Sequence, residues 1–169
     1  MFMATHLIGF GARRASAAGR TLGSKISPTG LTKFGDMTLG SGLAAAFDAN
    51  TNEASPACAS NSANGYAGMT LTSAKRVYHM VTYGTNNAGY DGGGNPSVTL
   101  TLYGKQGSAP SSYSNGTSLG STTFTDTDTT NSKTIVSTDQ ETLWDHLWLV
   151  IGGSATFPRL AEVEFYEAV

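Results

Sequence analysis

From Thr70 onward the pattern turns to short runs in which apolar residues fall at every second position. In Val98-Thr99-Leu100-Thr101-Leu102-Tyr103 the alternation is strict, the mark of a strand with one buried face. Leu147, Leu149 and Ile151 repeat it with Trp148 on the opposite face, and Ala161, Val163 and Phe165 alternate with Glu162, Glu164 and Tyr166. Val77, His79, Val81 and Tyr83 alternate with Tyr78, Met80 and Thr82, which predicts a strand buried on both sides. Ser118–Thr125 and Lys133–Thr138 supply two Thr-rich strands. Between these runs lie Asn64-Gly65, Gly104-Lys105-Gln106-Gly107, Asn115-Gly116 and a long loop from Gly84 to Pro96, all rich in turn chemistry. No segment past residue 50 keeps a 3.6-residue period. The pattern predicts an all-β fold, an antiparallel jelly-roll β-sandwich, rather than alternating strands and helices.

Residues 1–40 read differently. They are rich in Gly, Ala, Ser and Thr, with apolar residues only in small islands, and such a segment buries too little apolar surface to offset its ordering entropy. The expectation is an extended N-terminal arm over 1–40 and a sandwich over 41–169. Charge divides the same way. The first 35 residues carry five basic groups (Arg13, Arg14, Arg20, Lys25, Lys33) and no acid, whereas the remainder carries five basic and twelve acidic groups. A basic arm on an acidic neighbour gains electrostatic complementarity, so Leu7, Ile8, Phe10, Arg13, Arg14 and Arg20 are the expected partner-docking residues. A solvated basic tail is the plain alternative.

Five segments, in order, resemble the discoidin (coagulation factor 5/8 type C, galactose-binding-like) family. Ala46-Phe47-Asp48-Ala49-Asn50-Thr51-Asn52 is similar to the family's "A-F-D-G-N-T" loop, and Gly65-Tyr66-Ala67-Gly68-Met69-Thr70-Leu71 to its "G-W-I-G-V-D-L" strand. Val98–Gly104 resembles "V-T-L-Q-L-Y-G", His146–Ile151 stands in the place of "Y-L-R-L-V-I", and Leu160–Tyr166 resembles the closing "I-A-E-I-E-F-Y". The resemblance implies a discoidin-like sandwich over residues 43–168. It also implies a structural calcium held by Asp48, Asn50 and Glu162, with backbone oxygens near Glu53, since calcium takes hard oxygens from irregular loops. Ala49 replaces a favoured Gly and Glu53 a favoured Thr, and a hydrogen-bonded Asp/Asn turn is the alternative at this loop.

Little else carries chemistry. Cys58 is the single cysteine, which rules out an internal disulfide and a multi-thiolate zinc site. Gly116-Thr117-Ser118-Leu119-Gly120 has the G-x-S-x-G spacing, but a strand former follows it where a nucleophile elbow needs a helix. His6, His79 and His146 have no metal-binding spacing, and Asp126–Asn131 lacks the Gly and Glu of an EF-hand. Exposed aromatics could stack on a pyranose face, and Tyr90 and Tyr113, in Gly-rich and Ser-rich loops, are the candidate glycan contacts. Trp148, in place of a family Arg, is expected to pack beneath another element.

With charged residues at only 13% of the chain, a Thr/Ser/Gly-rich surface and no catalytic constellation, the expected role is a non-enzymatic virion protein. It would be a bacteriophage capsid-decoration, tail or fibre-attachment component, docking on other virion proteins through the arm. The alternative is a carbohydrate-binding module that takes host-surface glycans through rim loops. No export signal or membrane-spanning run is readable, so the expected location is the virion, after synthesis in the host cytoplasm. A homo-oligomer or larger assembly is expected. Nucleic-acid binding by the arm is only weakly supported, because no aromatics interleave with its basic residues.

Overall fold

The computed structural model describes residues 19–52, 58–85, 89–92, 97–125 and 131–169. Its strands are β1 (Leu22–Lys25), β2 (Thr32–Gly35), β3 (Leu39–Gly40), β4 (Cys58–Ala59), β5 (Gly65–Lys75), β6 (Val77–Tyr83), β7 (Ser97–Lys105), β8 (Thr117–Thr125), β9 (Ser132–Val136), β10 (Trp144–Gly153), β11 (Arg159–Leu160) and β12 (Glu162–Ala168), with one 3₁₀ turn at Leu43–Phe47. They form a five-stranded sheet in the order β2-β5-β10-β7-β8, a four-stranded sheet β1-β12-β6-β9, and a small sheet β11-β4-β3. All pairings are antiparallel. The architecture is the jelly-roll sandwich that the alternation predicts.

Register decides which residues fill the interior. On β10, Leu149 lies opposite Leu102 of β7 and Ala67 of β5, and Ile151 lies opposite Leu100. From the other sheet Met80, Ile135, Val163 and Phe165 close over them. Full burial of each such side chain is worth about 1.5–3 kcal/mol, and a one-residue slip would turn the whole row outward. On β6, Val77, Met80 and Thr82 are buried while Tyr78, His79, Val81 and Tyr83 are half-buried, so this strand has one fully covered face rather than two.

The expected arm is corrected over its described part. Leu22 and Lys25 pair with Ala168 and Tyr166 of β12, and Thr32–Gly35 pair with Thr70–Ala67 of β5. Thr21 and Val169 exchange both backbone hydrogen bonds (2.9 and 3.0 Å), so the first described strand closes on the last residue. A short edge strand needs only one or two apolar side chains, because the sheet supplies its backbone partners; Ile26 and Met37 fill that role in the interior. The sandwich therefore begins by residue 21 rather than at 41. Arg20 is engaged inside the chain, its Nε and Nη2 donating to the Glu141 carboxylate at 2.7–3.1 Å. Leu7, Ile8, Phe10, Arg13 and Arg14 lie outside the described residues. Among the described residues, no helix is long and apolar enough to cross a membrane.

Candidate functional site

The two candidate glycan tyrosines are not brought together. Tyr90 packs edge-on against Phe124 (5.0 Å, 72°), and Phe124 pairs with Val98 at the start of β7. Tyr113 gives its carbonyl to Trp148 Nε1 at 2.7 Å, and Trp148 pairs with Tyr103 near the end of β7. Those two anchors stand five residues apart on the strand, roughly 17 Å.

Tyr90 is moreover corrected from ligand contact to interior plug. Its exposure is 0%. Its hydroxyl sits 2.7 Å from the Thr82 carbonyl and 2.9 Å from that of Asn131, donating to one at a time, and burial pushes the phenol well above its ordinary range. Tyr113, 39% exposed, keeps an accessible ring. Trp148 is fully buried on the outer face of β10, stacked on Tyr103 (5.4 Å, 12°) and met edge-on by Phe34 (6.0 Å, 67°). The loop from Gln106 to Gly116 covers it. His146, two residues along the same face, presents Nε2 to the Gly107 carbonyl (2.8 Å), so that nitrogen donates and Nδ1 accepts from the Thr70 hydroxyl (3.0 Å). The aromatic side chains of this face hold a loop down.

Asp48, Asn50 and Glu162 do converge. Glu162 Oε2 accepts from the Asp48 and Ala49 amides (3.1 and 3.2 Å), Asp48 Oδ1 from the Asn50 amide (2.8 Å), and Asn50 Oδ1 from the Asn52 amide (3.2 Å). Ala49 takes φ 68°, the left-handed conformation that explains the Gly favoured there by the resembled family. The three side chains act as acceptors for backbone N–H groups, the arrangement of a hydrogen-bonded Asp/Asn turn. The neighbourhood of Glu53 lies outside the described residues. Burial, aided by the charges of Asp48 and Glu164, pushes the Glu162 carboxyl up to about 8.

A different constellation forms at the Tyr90 end of the sandwich, where β10 turns through residues 154–158 into β11. Asp91 is buried, and its carboxylate accepts from the Phe157 amide at 2.7 Å and from the Thr156 amide and hydroxyl at 3.3–3.5 Å. Gly92 N–H donates to the Phe157 carbonyl, and Arg159 N–H to that of Tyr90, both at 2.9 Å. These bonds lace the loop before β7 to the turn after β10. On this frame the Arg159 guanidinium lies 5.2 Å from the Phe157 ring centroid. It also lies against Gly92, where an added Cβ would come within 2.0 Å of Arg159 Nε, so a side chain there would displace the guanidinium. Arg159 Nε is buried and has no hydrogen-bond partner among the described residues. Both Phe157 and Arg159 are partly exposed.

None of Asp91, Gly92, Phe157 and Arg159 is singled out by the sequence reading. The available signal was a lone Arg in the turn just before the closing strand of a chain poor in charge.

No family model matches the chain, and no curated protein matches it. Solved structures do. The family 32 carbohydrate-binding module of NanJ from C. perfringens, in complex with galactose, superposes with TM-score 0.62 at 14% identity, over 85% of this chain and 98% of that one. The CBM32 of AlyQ in complex with 4,5-unsaturated mannuronic acid gives 0.58 at 17%, over 86% and 97%. An F5/8 type C domain from Bacteroides fragilis gives 0.58 at 12%, over 86% and 96%. At these identities the likeness establishes a shared fold.

Proposed function

We propose that this chain is a non-catalytic carbohydrate-binding module that takes a sugar on the rim built by Asp91, Gly92, Phe157 and Arg159. The observation that carries the reading is the Arg159 guanidinium, beside Phe157 and Gly92 and hydrogen-bonded to no acceptor among the described residues. A guanidinium offers parallel donors at the spacing of neighbouring sugar oxygens, and an aromatic ring beside it offers a face for pyranose C–H groups. Asp91 acts indirectly, fixing the Thr156–Phe157 turn that presents both groups. The structural likenesses include modules seen with galactose and with an unsaturated mannuronic acid, which supports glycan recognition ahead of the virion role expected from the sequence.

A single open site of this kind predicts affinities in the millimolar to micromolar range, about −4 to −8 kcal/mol. In titration calorimetry or ligand-observed NMR against a monosaccharide panel, Arg159→Ala and Phe157→Ala are expected to weaken binding at least ~10-fold, the loss of one charged hydrogen bond or one stacked ring. Their melting temperatures should stay near wild type. Unchanged binding in both variants would refute this placement of the site.

A further inference from the structure

The rim also discriminates between classes of sugar, an inference that rests on the glycan reading and sharpens it. We infer that the Arg159 site selects sugars that carry a carboxylate, of the uronic-acid kind, over their neutral counterparts.

The argument starts from what the cations of the domain do. Arg20, Lys25 and Lys75 are each paired with a carboxylate, of Glu141, Glu164 and Glu167 respectively. Lys33, Arg76 and Lys105 give their head groups to carbonyl oxygens of Pro28, Glu141 and Ala109. The Arg159 guanidinium makes no hydrogen bond or ion pair with any described residue, and its Nε is shut off from water. A buried donor without an acceptor is costly, and it is costlier on a charged group. The nearest acid in the frame does not relieve it: the Asp91 carboxylate is turned to the Thr156 and Phe157 donors.

The seat is nonetheless specific. The guanidinium lies beside the Phe157 ring and against the bare backbone of Gly92, which together limit where it can go. A neutral sugar brings hydroxyls that each accept only one such donor and must in turn place their own hydrogens. A carboxylate brings two coplanar acceptors and a full charge, the match for a fixed guanidinium fork.

The acidic body works in the other direction. Its excess of acids repels an anion at long range, but at physiological salt that field is screened beyond about 8 Å, whereas a contact pair in a partly dry seat is not. The contact therefore decides, and the expected preference is on the order of ten-fold or more.

The test compares pairs that differ only at C6: D-galacturonate with D-galactose, and D-glucuronate with D-glucose. Each is titrated into the full chain at low and at physiological salt. The uronate of at least one pair should bind at least ~10-fold tighter, with the advantage shrinking as salt rises. Arg159→Gln, which keeps a donor but no charge, should reduce the preference to about one while leaving neutral-sugar binding measurable. Gly92→Ala, which displaces the guanidinium without altering any charge, should do the same; thermal melts of both variants report whether the fold is intact. Equal or better binding of the neutral sugars overturns the carboxylate inference and leaves the rim reading standing. A preference that survives both substitutions overturns the assignment to Arg159. Absence of binding by all four sugars to a folded chain removes the rim reading and this inference with it.

Discussion

Single residues show where a linear reading stops. Trp148 was expected beneath another element because it stands opposite the core row of β10, and it is fully buried under Tyr103, Phe34 and the loop that ends at Gly116. The alternation itself fixed that side. Tyr90 was misread for the converse reason: Gly89, Asp91 and Gly92 around it look like an open loop, and no pattern within a loop says which aromatic turns inward. The structure makes Tyr90 the plug at one end of the sandwich, and this gives a measurable consequence. Tyr90→Phe keeps the ring against Phe124 but leaves the Thr82 and Asn131 carbonyls without their shared donor. Urea denaturation should show a loss of about 1–2 kcal/mol. Tyr113→Phe, at an exposed ring, should change stability by less than about 0.5 kcal/mol. Equal effects would contradict the inward placement of Tyr90.

At the scale of elements, the strands from β5 onward were legible because each carries several apolar residues in strict alternation. β1 and β2 were not, since a four-residue edge strand shows too little periodicity to separate from a Gly/Ser-rich leader. Their stability comes from partners far along the chain: Leu22 with Ala168, Lys25 with Tyr166 and with Glu164 through an ion pair, Phe34 with Gly68. Removing residues 1–40 would therefore strip both sheets of an edge, break the Thr21–Val169 exchange and uncover the interior around Ile26 and Met37. The expected result is a chain without a cooperative melt in circular dichroism and with aggregates in size-exclusion chromatography. A folded, monomeric product would restore the view of residues 1–40 as a separable docking arm.

For the whole molecule, the loop over residues 48–52 is tied to the start of β12 by one buried carboxyl, and that choice sets how stability depends on pH. Glu162 is 2% exposed and its folded-state value is about 8, against an ordinary value near 4.5. Between those limits the folded chain holds a proton that the unfolded chain has released, so stability is highest below about pH 4.5 as far as this group is concerned and falls as pH rises through 8. Two groups oppose it at lower pH. Burial lowers His79 below its ordinary 6.5, and hydrogen bonds from Thr142 lead in lowering Asp139, so both contribute stability that is lost on acidification. His79 acts below about 6.5 and Asp139 lower still, which leaves the window from pH 6.5 to 8 to Glu162 among these three. Urea denaturation across that window should show a fall on the order of 1–2 kcal/mol in wild type. Glu162→Gln keeps an oxygen for the Asp48 and Ala49 amides but has no proton to release, and its stability should be flat there. The same window tests the calcium reading, because a cation on this carboxylate would favour its charged form and abolish the fall. Wild-type curves with excess calcium and with a chelator should superimpose; a calcium-dependent rise in stability at pH 8 that is absent in Glu162→Gln would put a cation where these amides now lie.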